Sequence, residues 1–126
     1  MLRREVAVKD AVRYSILFEF DKSKTIASYE KFLTDIVTPL IPDNGKVIIH
    51  GHTDIVGEEA YNDNLSRERA QDAQSIFERA ITSSGKRGIT FESFGFGENL
   101  KYAPFDNNFP EERFYNRTVI IDIVPD

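Results

Sequence analysis

The sequence predicts an α/β fold, a two-layer sandwich in which a mixed four-stranded sheet carries two main helices in the order β-α-β-α-β-β. Three observations predict it. Two segments each carry one apolar stripe at helical spacing, four short segments rich in aliphatic and aromatic residues read as strands, and the 126 residues fall within the size of a single domain. A helix with one apolar stripe must bury it against a sheet face. The strand-helix-strand units are expected to run parallel with right-handed crossovers, and the last strand, after a long loop, can pair either way.

The first strand is expected around residues 14–20 (YSILFEF), where Ile16, Phe18 and Phe20 alternate with Ser15, Leu17 and Glu19; Asp21 and Ser23 end it. Residues 1–13 read as an N-terminal lead-in and 14–126 as the domain. The first helix opens at Ser28 as N-cap, with Glu30 in its first turn. Its stripe is Tyr29, Phe32, Leu33, Ile36 and Val37. Pro39, Pro42 and the run Asp43-Asn44-Gly45 stop it. A second strand follows at Lys46 to His50. The second helix is placed from Ser66, read as its N-cap, to about Ile81, with Leu65 and Ala70 as a hydrophobic staple. Ala70, Ala73, Phe77, Ala80 and Ile81 form its buried stripe, and Gly85 and Gly88 end it. Ile89 and Phe91 alternate in a third strand; Val119, Ile121 and Ile123 alternate in a fourth. The intervening segment from Gly95 to Asn116 has no clean period.

Composition removes several functional classes. The chain is 40% apolar and 29% charged, with 10 Phe, 5 Tyr and no low-complexity tract, which describes a folded domain and not a disordered one. A net charge of −5 argues against nucleic acid as a partner. Without cysteine there is no disulfide, thiolate metal site or thiol nucleophile. No apolar run is long enough to insert into a membrane, and Met1 to Lys9 lacks the core of a signal peptide. Met1 directly before a domain-like sequence suggests a fragment whose targeting segment lies elsewhere.

The run His50-Gly51-His52-Thr53-Asp54 places two histidines and an aspartate at alternate positions, a pattern able to bind zinc. These are the chain's two histidines, and a hydrolytic zinc site normally needs three protein ligands plus an open position, so strand-end polar residues with local hydrogen bonds are the preferred reading. Asp54 and Arg69 are more informative. Arg69, placed in the first turn of the second helix, meets an unfavourable helix dipole and lies beside the buried stripe, so it requires an anion. That anion is either Asp54 or Glu58, in an internal ion pair, or a ligand carboxylate, with Asp54 then accepting from a ligand ammonium. Gly51, Gly57, Gly95 and Gly97 mark positive φ or close backbone approach. No dinucleotide fingerprint, phosphate-binding loop or nucleophile elbow occurs, so an acyl-transfer enzyme has no nucleophile to nominate.

The combined run Gly51-His-Thr-Asp54, Gly57, Tyr61-Asn62, Leu65-Ser66 and Arg69-Ala70 resembles the central motif of the OmpA-like peptidoglycan-binding domain family. The resemblance extends to Phe18-Glu-Phe-Asp21-Lys-Ser23, to Gly95-Phe-Gly97-Glu98, and to Asn108, Arg113, Asn116, Arg117 and Val119, covering roughly residues 14 to 124. It implies non-catalytic binding of the diaminopimelate of the peptidoglycan stem peptide. Asp54 would hold the ammonium and Arg69 the carboxylate, with Asp21, Asn62, Leu65, Asn116 and Arg117 lining the pocket. It further implies a periplasmic domain that anchors an outer-membrane or envelope protein to the cell wall. Two departures favour the alternative of a protein-interaction or dimerisation domain, joined to a second copy or an envelope protein: Thr118 replaces the second arginine of the family's N-R-R-V, and residues 102–115 are unusually aromatic.

Overall fold

Alternating aliphatics in Lys46–Gly51 (β2) and Thr118–Val124 (β4) build the two central strands of a four-stranded sheet, flanked by Val12–Leu17 (β1) and Thr90–Gly95 (β3) in the order β1-β4-β2-β3. The computed structural model describes residues 11–17, 27–53, 58–97 and 116–125. β4 runs antiparallel to both neighbours, and β2 and β3 pair in parallel through the helix between them, Glu59–Ser84 (α2). The mixed sheet, the two-layer α/β architecture and the element order agree with expectation.

One face of the sheet is the core face. Ile16, Val47, Ile49, Val119, Ile121 and Ile123 pack there against Ala70, Ala73, Ile76 and Phe77 of α2 and Leu33 and Val37 of the first helical segment. Phe77 stacks on Phe91 of β3 at a centroid distance of 6.5 Å. Ile76 belongs to this core although the expected stripe passed it over, whereas Ala80 and Ile81 are only partly buried.

The boundaries of β1 and of both helices differ from expectation. β1 begins at Val12, ahead of Tyr14, and Phe18 and Phe20 lie outside the described residues. The first helix spans Ala27–Phe32 (α1), so Ser28 lies within it and is not its cap. It continues as a π turn over Leu33–Val37 and a 3₁₀ turn over Thr38–Leu40. The wider π turn rotates later positions off the α-helical stripe, leaving Ile36 54% exposed while Leu33 and Val37 are fully buried. Thr38 supports the turn, its Oγ1 donating to the Leu33 carbonyl at 2.7 Å. Pro39 sits at the start of the 3₁₀ turn, where its missing N–H costs little.

The largest difference concerns α2, which opens at Glu59 with Glu58 as N-cap and ends at Gly85, whose left-handed φ of 76° closes it with an N–H bond to the Ile81 carbonyl. Ser66 is therefore an interior residue, and Leu65 and Ala70 do not form a staple. The polar run Glu59 to Asn64 gave no apolar period because its inward face is polar: Asn62, Ser66 and Arg69 are all buried.

Gly51 and Gly95 fix how α2 meets the sheet. They pair directly in the β2–β3 ladder. A Cβ on Gly51 would collide with the Ser66 carbonyl, and one on Gly95 would lie 2.7 Å from the Arg67 nitrogen. Backbone thus rests on backbone at this end of the sheet. Gly51→Ala should destabilise the fold by about 3 kcal/mol or more, because the obstacle is main chain that cannot rotate away. Phe77→Ala should cost about 3–5 kcal/mol through the cavity it leaves. Urea denaturation midpoints of the two variants against the parent check both values.

Candidate functional site

The first half of α2 presents Asn62, Leu65, Ser66 and Arg69 along one buried face, the spacing of three and four residues placing them in line. The glycine contact beneath them sets this face against the ends of β2 and β3. Arg69 is fully buried. A guanidinium does not give up its proton in a protein, so its burial requires hydrogen-bond acceptors and a compensating negative environment.

Around this helix face the loops are stitched by main-chain hydrogen bonds. Beyond β2, the His52 N–H donates to the Thr118 carbonyl at 2.9 Å and the Thr53 N–H to the Gly97 carbonyl at 2.8 Å. Beyond β3, the Phe96 N–H donates to the Gly51 carbonyl at 2.9 Å. The Gly97 N–H then donates to Ser66 Oγ at 2.9 Å, while that hydroxyl donates to the Asp63 carbonyl. Gly97 adopts a φ of 56°, and a Cβ there would strike the Asp63 carboxylate. Ser66 is thus a latch between helix and loop. Asn116, fully buried, and Arg117, partly buried, lead directly into β4, whose Val119 pairs with Gly51. Asn62, Leu65, Arg69, Asn116 and Arg117 therefore belong to elements that converge on one end of the sheet. Asp54, Asp21 and Gly57 lie outside the described residues.

Two expectations about this region change. Arg69 lies deep within α2, not in its first turn, so the helix dipole does not penalise it and burial alone makes its need for acceptors. Thr118, in place of the family's arginine, is buried and donates from Oγ1 to the Ile16 carbonyl at 2.8 Å, which ties β1 to the start of β4. The aromatic segment 102–115 lies outside the described residues. The sequence points to His52 as a candidate zinc ligand, to Ser66 as a helix cap and to Gly97 as a close approach, and to none of them, nor to Thr53, as the hydrogen-bonded frame of this site.

The histidines do not form a metal cluster with described partners: among the described residues no group of three His, Cys, Asp or Glu side chains could hold an ion. His50 Nε2 instead lies 3.2 Å from Asp122 Oδ2. Arg13 Nε and Nη2 donate to the same carboxylate at 2.6 and 2.8 Å. Burial pushes the Asp122 carboxyl up, but the hydrogen bonds and charges of Arg13 and His50 overcome this and hold it at about 2. Arg13 is raised by the same carboxylate. His52 stands beside this network, stacked on Phe96 with ring centroids 5.5 Å apart. Among the described residues, neither buried ring nitrogen has a hydrogen-bond partner. Burial first, then the nearby charges of His50 and Arg13, lowers its pKa to about 3.

This buried imidazole should make the fold acid-sensitive. Below the ordinary histidine value of 6.5 the unfolded chain takes up a proton that folded His52 refuses until about pH 3. Stability present above pH 6.5 should therefore fall as the pH drops, by about 1.4 kcal/mol per pH unit from this group. His52→Phe should remove that slope and leave neutral-pH stability equal or improved, since it deletes two unsatisfied polar atoms. Urea midpoints of parent and variant between neutral pH and pH 4 give the comparison.

The OmpA family model matches residues 17–117. Among curated proteins, the chain is 36% identical over 125 residues to photosystem I P700 chlorophyll a apoprotein A2 of Gloeobacter violaceus, covering 88% of this chain and 13% of that protein. It is 34% identical to outer membrane porin F of Pseudomonas aeruginosa, covering 93% of this chain and 33% of that protein. It is 31% identical to the peptidoglycan-associated lipoprotein of Buchnera aphidicola, covering 85% and 60%. The chain thus spans less than two thirds of the length of each of these relatives. Among solved structures, the peptidoglycan-associated lipoprotein of Burkholderia pseudomallei superposes with a TM-score of 0.66 at 18% identity, covering 86% of this chain and 88% of that one. The cell wall anchor of the T6SS from Pseudomonas aeruginosa gives 0.66 at 23% identity, covering 92% and 82%. At these identities the structural likeness speaks for the fold. The relatives include outer-membrane proteins, and no described helix is long and apolar enough to cross a membrane. The relatives of OmpA and lipoprotein type are structural or binding proteins, not enzymes. With the family model spanning most of the sequence and the same mixed sheet in its structural neighbours, the chain belongs to the OmpA family.

Proposed function

We propose that this domain binds peptidoglycan non-covalently through the diaminopimelate of the stem peptide, and so anchors an outer-membrane or other envelope protein to the wall from the periplasmic side. The observation that carries this reading is Arg69: a permanent cation, fully buried on a helix face held against the ends of β2 and β3, in the company of buried Asn62, Ser66 and Asn116. A planar fork in such surroundings suits a carboxylate, which it can engage with two parallel hydrogen bonds. Asp54, next in the chain after Thr53, would accept from the ligand ammonium. Asn62, Leu65, Asn116, Arg117 and Asp21 would shape the remaining walls. Because Arg69 is covered, a ligand carboxylate reaches it only by displacing what covers it.

Each charge-assisted hydrogen bond contributes about 1.5–3 kcal/mol, partly offset by ordering, so affinity for a single stem peptide is modest. Repeated sites on a polymeric wall make up the difference by avidity. The reading involves no covalent chemistry and no cofactor.

Asp54→Asn keeps shape but removes the charge, and should abolish co-sedimentation with purified sacculi while the denaturation midpoint holds. Diaminopimelate and lysine differ by the carboxylate that Arg69 would read. Titration calorimetry should accordingly show diaminopimelate stem peptides binding roughly ten- to a hundredfold tighter than lysine ones. Arg69→Lys should collapse that ratio, because an ammonium cannot reproduce the fork. Equal binding of the two peptides by the parent chain would remove Arg69 from the proposed recognition.

A further inference from the structure

The strand registers place the candidate site and the ends of the described chain at opposite ends of the sheet. Leu17 pairs with Thr118, and Gly51 pairs with both Val119 and Gly95, so these residues mark the site end. Val12 pairs with Ile123, and Lys46 with Val124 and Thr90, which marks the remote end. The chain passes into β1 at Ala11 and out of β4 at Pro125, side by side at that remote end. A pull between the site and either point therefore runs along the strands.

From this topology we infer that the sheet acts as a shear-loaded tether, an inference that rests on the wall-anchoring reading for its biological purpose but not for its geometry. In an antiparallel pair the ladder bonds lie perpendicular to the strands. A pull along the axis of β1 loads the whole six-residue β1–β4 ladder together, whereas a pull across the sheet opens it bond by bond. The side chains strengthen the same direction. Arg13 stands next to Val12, where tension through β1 first arrives, and holds Asp122 of β4 with two hydrogen bonds at 2.6 and 2.8 Å. Asp122 in turn meets His50 of β2 at 3.2 Å, so one buried carboxylate couples three adjacent strands. At the other end of β1, Thr118 grips the Ile16 carbonyl. A buried ion pair is weak evidence for equilibrium stability. A clamp placed where the load enters gives this one a purpose that stability alone does not.

Single-molecule force spectroscopy tests the inference without any cell wall. The chain has no native cysteine, so one introduced cysteine gives a unique handle. With the second handle at the N-terminus, Asn64→Cys, on exposed helix surface at the site end, pulls along β1; Thr90→Cys, at the remote end of the opposite edge strand, pulls across the sheet. At one loading rate the first geometry should need roughly twofold or more the rupture force of the second, since bonds loaded together resist more than bonds broken in turn. Arg13→Met should lower the force in the first geometry, where the Arg13–Asp122 link is loaded together with the ladder. Equal rupture forces in the two geometries, or no effect of Arg13→Met along β1, would overturn the inference. Neither result bears on sacculus binding, whose failure would appear only in co-sedimentation.

Discussion

The first half of α2 rests on bare backbone. Gly51 and Gly95, paired in the β2–β3 ladder, have no Cβ, and that gap lets the main chain at Ser66 and Arg67 settle directly onto the sheet. Everything proposed for the site depends on this approach. It brings Ser66 within reach of Gly97, fixing the loop after β3, and sets the face bearing Asn62 and Arg69 against the sheet end. Side chains of ordinary size at either glycine would lift the helix and separate the elements that now converge.

Burial of polar groups is costly, and the structure meets the cost in different ways. Asp122 is satisfied by Arg13 and His50. Ser66 and Thr118 each spend their hydroxyl hydrogen on a main-chain carbonyl. His52 is left with both nitrogens unsatisfied and stays neutral, stacked against Phe96. An apolar ring in the same place would spare the cost of burying two unsatisfied nitrogens.

Much of this was legible in the sequence because the relevant patterns are local. Short aliphatic runs in Lys46–His50 and Val119–Val124 marked the central strands, and the apolar spacing of Ala70, Ala73 and Phe77 marked the phase of α2. The glycines were readable as close approaches, and Gly51, Gly95 and Gly97 behave so. Other features were not local. The start of α2 was misplaced because residues 59–64 bury polar side chains against tertiary partners, and a hydrophobic period does not register buried polarity. Ser66 resembled a cap because serine before a helical stripe usually is one. The π turn that exposes Ile36 has no signature in composition, and the Arg13–Asp122–His50 link joins residues from three separate strands that only the sheet register brings together.

We propose that a ligand with a carboxylate and an ammonium on one carbon engages the sheet end where α2 lies over Gly51 and Gly95. An NMR titration of the isotope-labelled domain with a diaminopimelate muropeptide tests it most directly. Chemical-shift changes should concentrate on Thr53, Asn62, Arg69, Gly97 and Asn116, with the Arg69 side-chain N–H signals moving most. The groove between the helical segments, lined by Thr34, Thr38, Ile76 and Arg79, should stay silent. Shifts centred on that groove, or none at saturating ligand, would contradict the account.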